Sequence, residues 1–352
     1  MYSPHFTISN KILKNIGLIE AAREVIKNSP LLPLWEKKFQ ENAVIRTVHH
    51  GTHIEGNRLN LSEVQRVVEG KEIVGRERDV QEVINYRNVV NYISSDREIE
   101  QSGNQVIIER VVKKLHQLAT DKILPRSESG QYRTKQVVVR NSLTGEITFR
   151  PPPAVEVPYL IEEFLIWTND PVSKEIHSVL KAGIVQYEIV HIHPFLDGNG
   201  RVARALAILI LYKQDYDIRR FFSLEEYYDK DAESYYRALQ SVKNANLTPW
   251  LEYFSQGLAI ELNRVKERVQ KLSQDLALKE KLGGKQIYLS ERQIKIIEFI
   301  RRAGFLQNKA FPTIFPMISE DTVLRELKDL MKRGIIKKKG KTKAARYELK
   351  RT

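Results

Sequence analysis

Apolar residues recur every three to four positions through roughly the first 260 residues. Ile12, Ile16, Ile19 and Ile26 form one series, Val64, Val67 and Val68 a second, and Val80, Val83, Ile84, Val89, Val90 and Ile93 a third. This is the helical period, and it predicts a largely helical body. Ser102-Gly103-Asn104 is a turn signal, Val106–Leu118 reads as the next helix, and Gly130 closes a polar loop. From Thr134 to Arg150 the period shortens to two, which predicts a β-hairpin turning at Asn141–Gly145 and stopped by Pro151-Pro152-Pro153. The hairpin is either a surface decoration or an arm whose edge pairs with an incoming extended segment. Helical spacing then returns at Val157–Thr168, Ser173–Val190, beyond Gly200, at Ala232–Val242 and after Pro249. The charged stretch Arg264–Lys281 reads as a spacer, and Gly283-Gly284 as a boundary.

Composition narrows the picture. The chain has 352 residues, 42% hydrophobic and 29% charged, enough for two or three packed cores. Its longest uninterrupted apolar run, Ala205–Tyr212, is eight residues, so no membrane span is expected. No basic start followed by an apolar core opens the chain, so no secretion signal is expected either. Cysteine is absent, which excludes disulfides, thiolate nucleophiles and Cys-based metal sites and makes a reducing cytoplasm the expected compartment. The net charge of +13 is concentrated at one end. Lys285–Thr352 holds 18 Lys and Arg against 7 Asp and Glu, a net +11 that leaves +2 for everything before it. Such a potential attracts polyanions, nucleic acid foremost, unless it is simply a solvated surface.

One stretch carries chemistry. His193-Pro194-Phe195-Leu196-Asp197-Gly198-Asn199-Gly200-Arg201-Val202-Ala203-Arg204 lies between two apolar helical segments, so it is a loop feeding a helix N-terminus. Gly198, Asn199 and Gly200 let successive backbone N–H groups converge on one anion, aided by the positive end of the helix. Arg201 and Arg204 share the first helical turn and suit two phosphates. Asp197 offers a hard oxygen to a Mg²⁺ already held by phosphate, and His193 can take a proton from an attacking hydroxyl. A lone member of this set would be a turn or a structural histidine; together they point to phosphate-ester chemistry.

The block resembles the His-x-Phe-x-Asp/Glu-Gly-Asn-Gly-Arg-x-x-Arg signature of the Fic family. The resemblance implies transfer of AMP from ATP to a Ser, Thr or Tyr hydroxyl of a target protein, self-modification included. In it His193 is the base, Phe195 anchors the loop, Asp197 holds Mg²⁺, Gly198, Asn199 and Gly200 cradle phosphate, and Arg201 and Arg204 bind phosphates. It also implies a mainly α fold, a Fic-type helical bundle with a β-hairpin flap that registers the target through residues such as Val139, Arg140 and Thr148. Tyr235 and Tyr236 resemble the family's tyrosines near the adenine, with ordinary aromatic packing as the alternative. Thr52-His53-Ile54-Glu55-Gly56-Asn57 resembles an inhibitory helix whose glutamate pairs with the second motif arginine, here Glu55 with Arg204. The pattern departs at Gly51, where the family has Ser or Thr. AMP removal, a different nucleotide donor, or an ATP-sensing DNA regulator are the other functions consistent with the loop. A homodimer is a further implication of the resemblance.

The last segment reads as helix, helix, helix and hairpin: Ser290–Ala303, a short piece near Ala310–Met317, Ser319–Arg333 with an N-cap, then Ile335–Lys339 and Ala344–Leu349 as strands. This resembles a winged helix-turn-helix domain, in which Thr322, Arg325 and Lys328 face bases and wing cations such as Lys338 and Lys341 face phosphates. A protein partner is the alternative. The expected organisation is residues 1–104 as an N-terminal helical region, 105–262 as the Fic core, 263–286 as a helical linker and 287–352 as the winged helix-turn-helix domain.

Overall fold

A computed structural model describes residues 2–31, 33–95, 107–140, 147–214, 216, 220–281, 289–316, 318–340 and 345–350. They form two units, residues 1–270 and 271–352. The first begins with α1 (Asn10–Asn28), started by Ser9, whose hydroxyl accepts from Ile12 N–H. Its inward face is Ile12, Ile19, Ala22 and Ile26, with Asn15 among them bonded to Ser255 Oγ at 3.0 Å. Then follow α2 (Pro33–His53), α3 (Leu61–Val68) and α4 (Glu77–Ser95). The short helix α3 is fixed by a capping box: Asn60 Oδ1 accepts from Ser62 and Glu63 N–H, and Glu63 accepts from Asn60 N–H. Helix α5 (Glu109–Ala119) buries Val111, Val112, Leu115 and His116.

Strands β1 (Val139–Arg140) and β2 (Ile147–Phe149) pair antiparallel, with a register shift between Val139 and Arg140. This ladder is shorter than the expected Thr134–Arg150. Residues before β1 are held instead by side chains, as when Gln136 donates to Pro151 O and accepts from Ala154 N–H. The expected turn at Asn141–Gly145 lies outside the described residues. Helix α6 (Val157–Asn169) follows, then a break that the apolar spacing did not announce. The predicted helix Ser173–Val190 is two pieces, α7 (Pro171–Glu175) and α8 (Ser178–Ile192), because Ile176 and His177 are extended and His177 caps the new start.

Helices α8 and α9 (Asn199–Lys213) are the centre of the unit. Both bury residues on every face, Val179, Ile184, Val185 and Ile189 on one and Val202, Leu206, Leu209 and Ile210 on the other. Each such side chain contributes about 1.5–3 kcal/mol. The motif loop is the short connection between them, so its ends are fixed by two buried helices packed on each other. The unit closes with α10 (Leu224–Lys230), α11 (Ala232–Gln240) and the part of α12 (Thr248–Lys281) up to Gln270. Among the described residues no helix is long and apolar enough to cross a membrane.

The second unit has α13 (Glu291–Ala303), α14 (Phe311–Ile314), α15 (Glu320–Lys332) and the antiparallel pair β3 (Ile336–Lys339) and β4 (Arg346–Leu349). Ile296, Ile300, Leu306, Phe311, Leu327, Leu330, Ile336 and Tyr347 form its core. Ser319 stands at the N-cap of α15, but its hydroxyl meets Thr322 Oγ1 at 2.9 Å rather than a backbone N–H.

Candidate active site

His193 ends α8 in the left-handed conformation, φ 51° and ψ 58°, which a residue with a Cβ adopts only under constraint. The constraint is Arg133, itself buried. Its Nε donates to His193 O at 2.8 Å, its backbone N–H to Pro194 O at 2.9 Å, and its Nη2 to Pro152 O at 2.6 Å. Arg133 thus ties the loop to the base of the hairpin. The His193 ring donates Nδ1–H to Val190 O at 3.2 Å, which leaves the Nε2 lone pair free. Burial pushes its pKa below the usual imidazole value, and the Arg133 charge adds to this. Neutral, with Nε2 unprotonated, the His193 ring can accept a proton.

The rest of the loop is pinned from below. Phe195 is fully buried and stacks on His116 at 3.8 Å between ring centroids, 2° from parallel. His116 Nδ1 accepts from Gly130 N–H at 2.8 Å, so Nε2 carries the proton it donates to Asp197 O at 3.0 Å. The Asn199 side chain closes the loop, accepting from Phe195 N–H and donating to Phe195 O, both at 2.9 Å, and leaves its backbone N–H, the group expected in the phosphate cradle, at the start of the next helix. Gly198 has φ +77°, and a Cβ there would press on Thr120 at 3.2 Å.

Burial holds the His116 pKa down to about 4. The unfolded imidazole protonates near pH 6.5, so the unfolded state takes up the proton first as the solution is acidified. Stability should therefore fall between about pH 6.5 and 4, by on the order of 3 kcal/mol from this group. His49, also pushed down to about 4 by burial, acts in the same direction. His116→Gln, which keeps a donor, should flatten the plot of urea midpoint against pH. An unchanged slope would show that His116 titrates as in the unfolded chain.

Helix α9 begins where the loop ends. Its first intrahelical bond is Val202 N–H to Gly198 O, so the N–H groups of Asn199, Gly200 and Arg201 have no acceptor within the helix. A carboxylate lies beside them. Glu55 Oε1 pairs with Arg204 Nη1 at 2.9 Å, and a Cβ on Gly200 would overlap that same oxygen. Arg204 is 2% exposed, and its Nη2 donates to Gly51 O at 2.9 Å. Behind it sits buried Glu225, which accepts from Tyr86 OH at 2.9 Å and whose pKa burial raises. Gly51, the departure from the family pattern, is explained by Tyr86, whose ring a Cβ at position 51 would overlap. Thr52 next to it spends its hydroxyl on Val48 O within α2.

Glu55 sits in a tight turn after α2, with Gly56 at φ +95° and Gly56 N–H bonded to His53 O at 2.8 Å. Asn57 anchors the turn by donating to Asp79 O at 2.9 Å and Glu82 Oε2 at 3.0 Å. Tyr236, 43% exposed, donates to Ile54 O at 3.2 Å. Tyr235 is 1% exposed. Its ring packs 4.5 Å from Tyr228 and its hydroxyl accepts from Gln186, so of the two tyrosines only Tyr236 faces outward beside Glu55.

Asp197 Oδ1 accepts from Gly198 N–H at 2.6 Å and pairs with Arg201 Nη2 at 3.3 Å. Oδ2 pairs with Arg78 Nη2 at 3.3 Å. Among the described residues no three metal-binding side chains cluster. One half-exposed carboxylate beside a helix end with unpaired N–H groups fits a Mg²⁺ that arrives with a nucleotide, since Mg²⁺ commonly takes one or two carboxylates plus phosphate oxygens. In the hairpin, Thr148 donates to Val139 O at 3.2 Å and Phe149 lies 5.7 Å from the His191 ring. Arg140 belongs to β1.

Residues 107–211 match the Fic/DOC family. The chain is 25% identical over 278 residues to the protein adenylyltransferase Fic of Culex quinquefasciatus, covering 77% of this chain and 52% of that protein. It is 26% identical over 242 residues to the protein of the same name from Nematostella vectensis, covering 68% and 52%. The chain spans about half the length of these curated relatives. A Fic family protein of Desulfovibrio desulfuricans G20 aligns over 99% of this chain and 98% of its own, with TM-score 0.65 and 24% identity. The matched segment contains the loop built above. His116, Arg133 and Arg78 join it from outside the motif, and sequence reading missed them.

Of the residues expected to face DNA, Thr322 is tied to Ser319 and accepts from Arg325 Nη2, while Arg325 and Lys328 are exposed on α15. The Lys338 ammonium lies 5.8 Å over the Tyr347 ring. Lys341 lies outside the described residues.

Proposed function

We propose that this chain is an ATP-dependent protein adenylyltransferase held in check by its own Glu55. The observation that carries the reading is a neutral His193 with a free Nε2, fixed one loop away from a helix end built for an anion. A target Ser, Thr or Tyr hydroxyl attacks the α-phosphorus of ATP. His193 Nε2 takes the hydroxyl proton as the new oxygen–phosphorus bond forms and the bond to pyrophosphate breaks. The N–H groups of Asn199, Gly200 and Arg201 receive the phosphate charge that develops, and Arg204 is the cation for the distal phosphates once Glu55 leaves it. Asp197 is the residue that would hold Mg²⁺, which when bound neutralises phosphate charge. The exposed hairpin is suited to holding the target's backbone by strand addition through Val139, Arg140 and Thr148. The adenine would lie toward Tyr236, the tyrosine with an open face. The names of the relatives support the same activity.

The test uses α-³²P-ATP and γ-³²P-ATP in parallel, with Mg²⁺, on the chain alone and with lysate. Label on protein from the α position only means AMP transfer. Label from γ means a different reaction on the same loop, and release of AMP from pre-labelled protein means removal.

The second unit supports a DNA-binding reading through the net +11 of Lys285–Thr352, the exposed Arg325 and Lys328 on α15, and a hairpin bearing Lys337, Lys338 and Lys339 in the manner of a wing. Affinity for a fluorescent duplex should fall steeply with salt. Lys338→Ala should reduce the slope of log K against log[salt] by about one, and Arg325→Ala should weaken binding and relax sequence preference. Anisotropy that shows no salt-sensitive binding would turn the reading toward a protein partner.

A further inference from the structure

The carboxylate of Asp197 has two unequal oxygens. Oδ1 is engaged by the loop itself, through Gly198 N–H and the buried Arg201, which also reaches Ala119 O at 3.4 Å. Oδ2 faces the other way and meets Arg78, which comes from α4, 119 positions earlier in the chain. Arg78 is aimed there by Glu82, whose Oε1 takes Arg78 Nε at 3.1 Å. Glu82 is itself buried, and its other oxygen holds Asn57, two residues beyond Glu55. One buried carboxylate therefore anchors both an arginine on the cation-binding oxygen and the turn that carries a glutamate into the anion-binding helix end.

We propose that Arg78 is a built-in counter-ion for Asp197, occupying the oxygen that a divalent cation must take when it arrives with a nucleotide. The inference rests on the adenylyltransferase reading and extends it to a residue outside the motif. With Glu55 on Arg204 and Arg78 on Asp197, the site is filled by one negative and one positive group in the places of phosphate and metal. The two plugs differ in strength. Arg204 is buried, so the Glu55 pair acts in a poorly screened setting. The Arg78 side chain is 58% exposed, and an exposed pair is worth little, so a metal displaces it readily. Arg78 thus sets how much metal the site needs, and Glu55 sets whether the nucleotide enters productively.

Titration with Mn²⁺, followed by the electron paramagnetic resonance signal of the free ion, tests this without turnover. The full chain is held with α,β-methylene-ATP, which cannot lose pyrophosphate. Arg78→Gln should bind Mn²⁺ with the analogue about five-fold more tightly than the parent, the upper end for an exposed pair. Its affinity for the metal-free analogue should be unchanged. In an Asp197→Asn background the same substitution should have no effect. An unchanged Mn²⁺ affinity overturns the proposal. So does a weaker one, which would make Arg78 a phosphate ligand, and so does a gain that persists in Asp197→Asn. If neither the parent nor Glu55→Gly takes up Mn²⁺ with the analogue, the nucleotide reading fails and this inference with it.

Discussion

His193→Ala should lower labelling of protein from α-³²P-ATP by about 10²–10⁴-fold, the range that a positioned general base contributes, while nucleotide binding stays within a few-fold of the parent. The argument is geometric. The His193 side chain makes one hydrogen bond, from Nδ1 to the carbonyl of Val190, and none of its ring atoms holds the N-terminus of α9. The loop around it is held through backbone atoms by Arg133 and through Phe195, Asn199 and His116, so truncating one ring leaves the scaffold standing. The pH profile gives a second readout. Burial lowers the His193 pKa, so the active neutral form persists below pH 6.5 and the rate should fall only on further acidification. Loss of binding together with rate in His193→Ala would assign the ring a structural role. A profile that falls on the alkaline side would make it an acid.

The loop was readable in the sequence because its parts are contiguous: an apolar helix, twelve residues of motif, then another apolar helix. What fixes the loop was not. Arg133 and His116 act on carbonyl and amide groups of the backbone, and those groups carry no residue identity that a pattern could match. His116 looked like one more polar position in a helix, and only its stack on Phe195 sets it apart. The role of the Asn199 side chain went unread for a related reason. An Asn between glycines reads as turn chemistry, and nothing in the spacing says that its amide will pair with the main chain four residues back. The break at Ile176–His177 was hidden because apolar spacing continues across it. Glu55 and Arg204 are 149 positions apart, so their pairing was accessible through the family resemblance alone, never through periodicity. The adenine assignment divides for a physical reason too. Tyr235 and Tyr236 are adjacent on a helix and point about 100° apart, and on this helix, which packs on one face only, Tyr235 takes the buried side and Tyr236 the exposed one.

Glu55→Gly should raise AMP transfer by about 10- to 100-fold. The carboxylate makes a charge-assisted bond to an arginine that has almost no contact with water, and such bonds are worth roughly 1.5–3 kcal/mol. A chain that must break this bond before ATP is seated in the productive pose shows an affinity reduced by the fraction already open, and removing the glutamate removes that tax. The same substitution should have a cost. Arg204 loses its nearest counter-charge while buried, with Gly51 O still accepting and Glu225 behind it, so the nucleotide-free variant should melt below the parent. Addition of Mg²⁺ and ATP analogue should then stabilise the variant more than it stabilises the parent, because phosphate restores the missing charge. Glu55→Gln separates charge from shape: it fills the same place beside Gly200 but weakens the bond, and its transfer rate should lie between the two. A Glu55→Gly chain that melts lower yet gains neither nucleotide affinity nor rate would show that Glu55 stabilises the fold and does not guard the site.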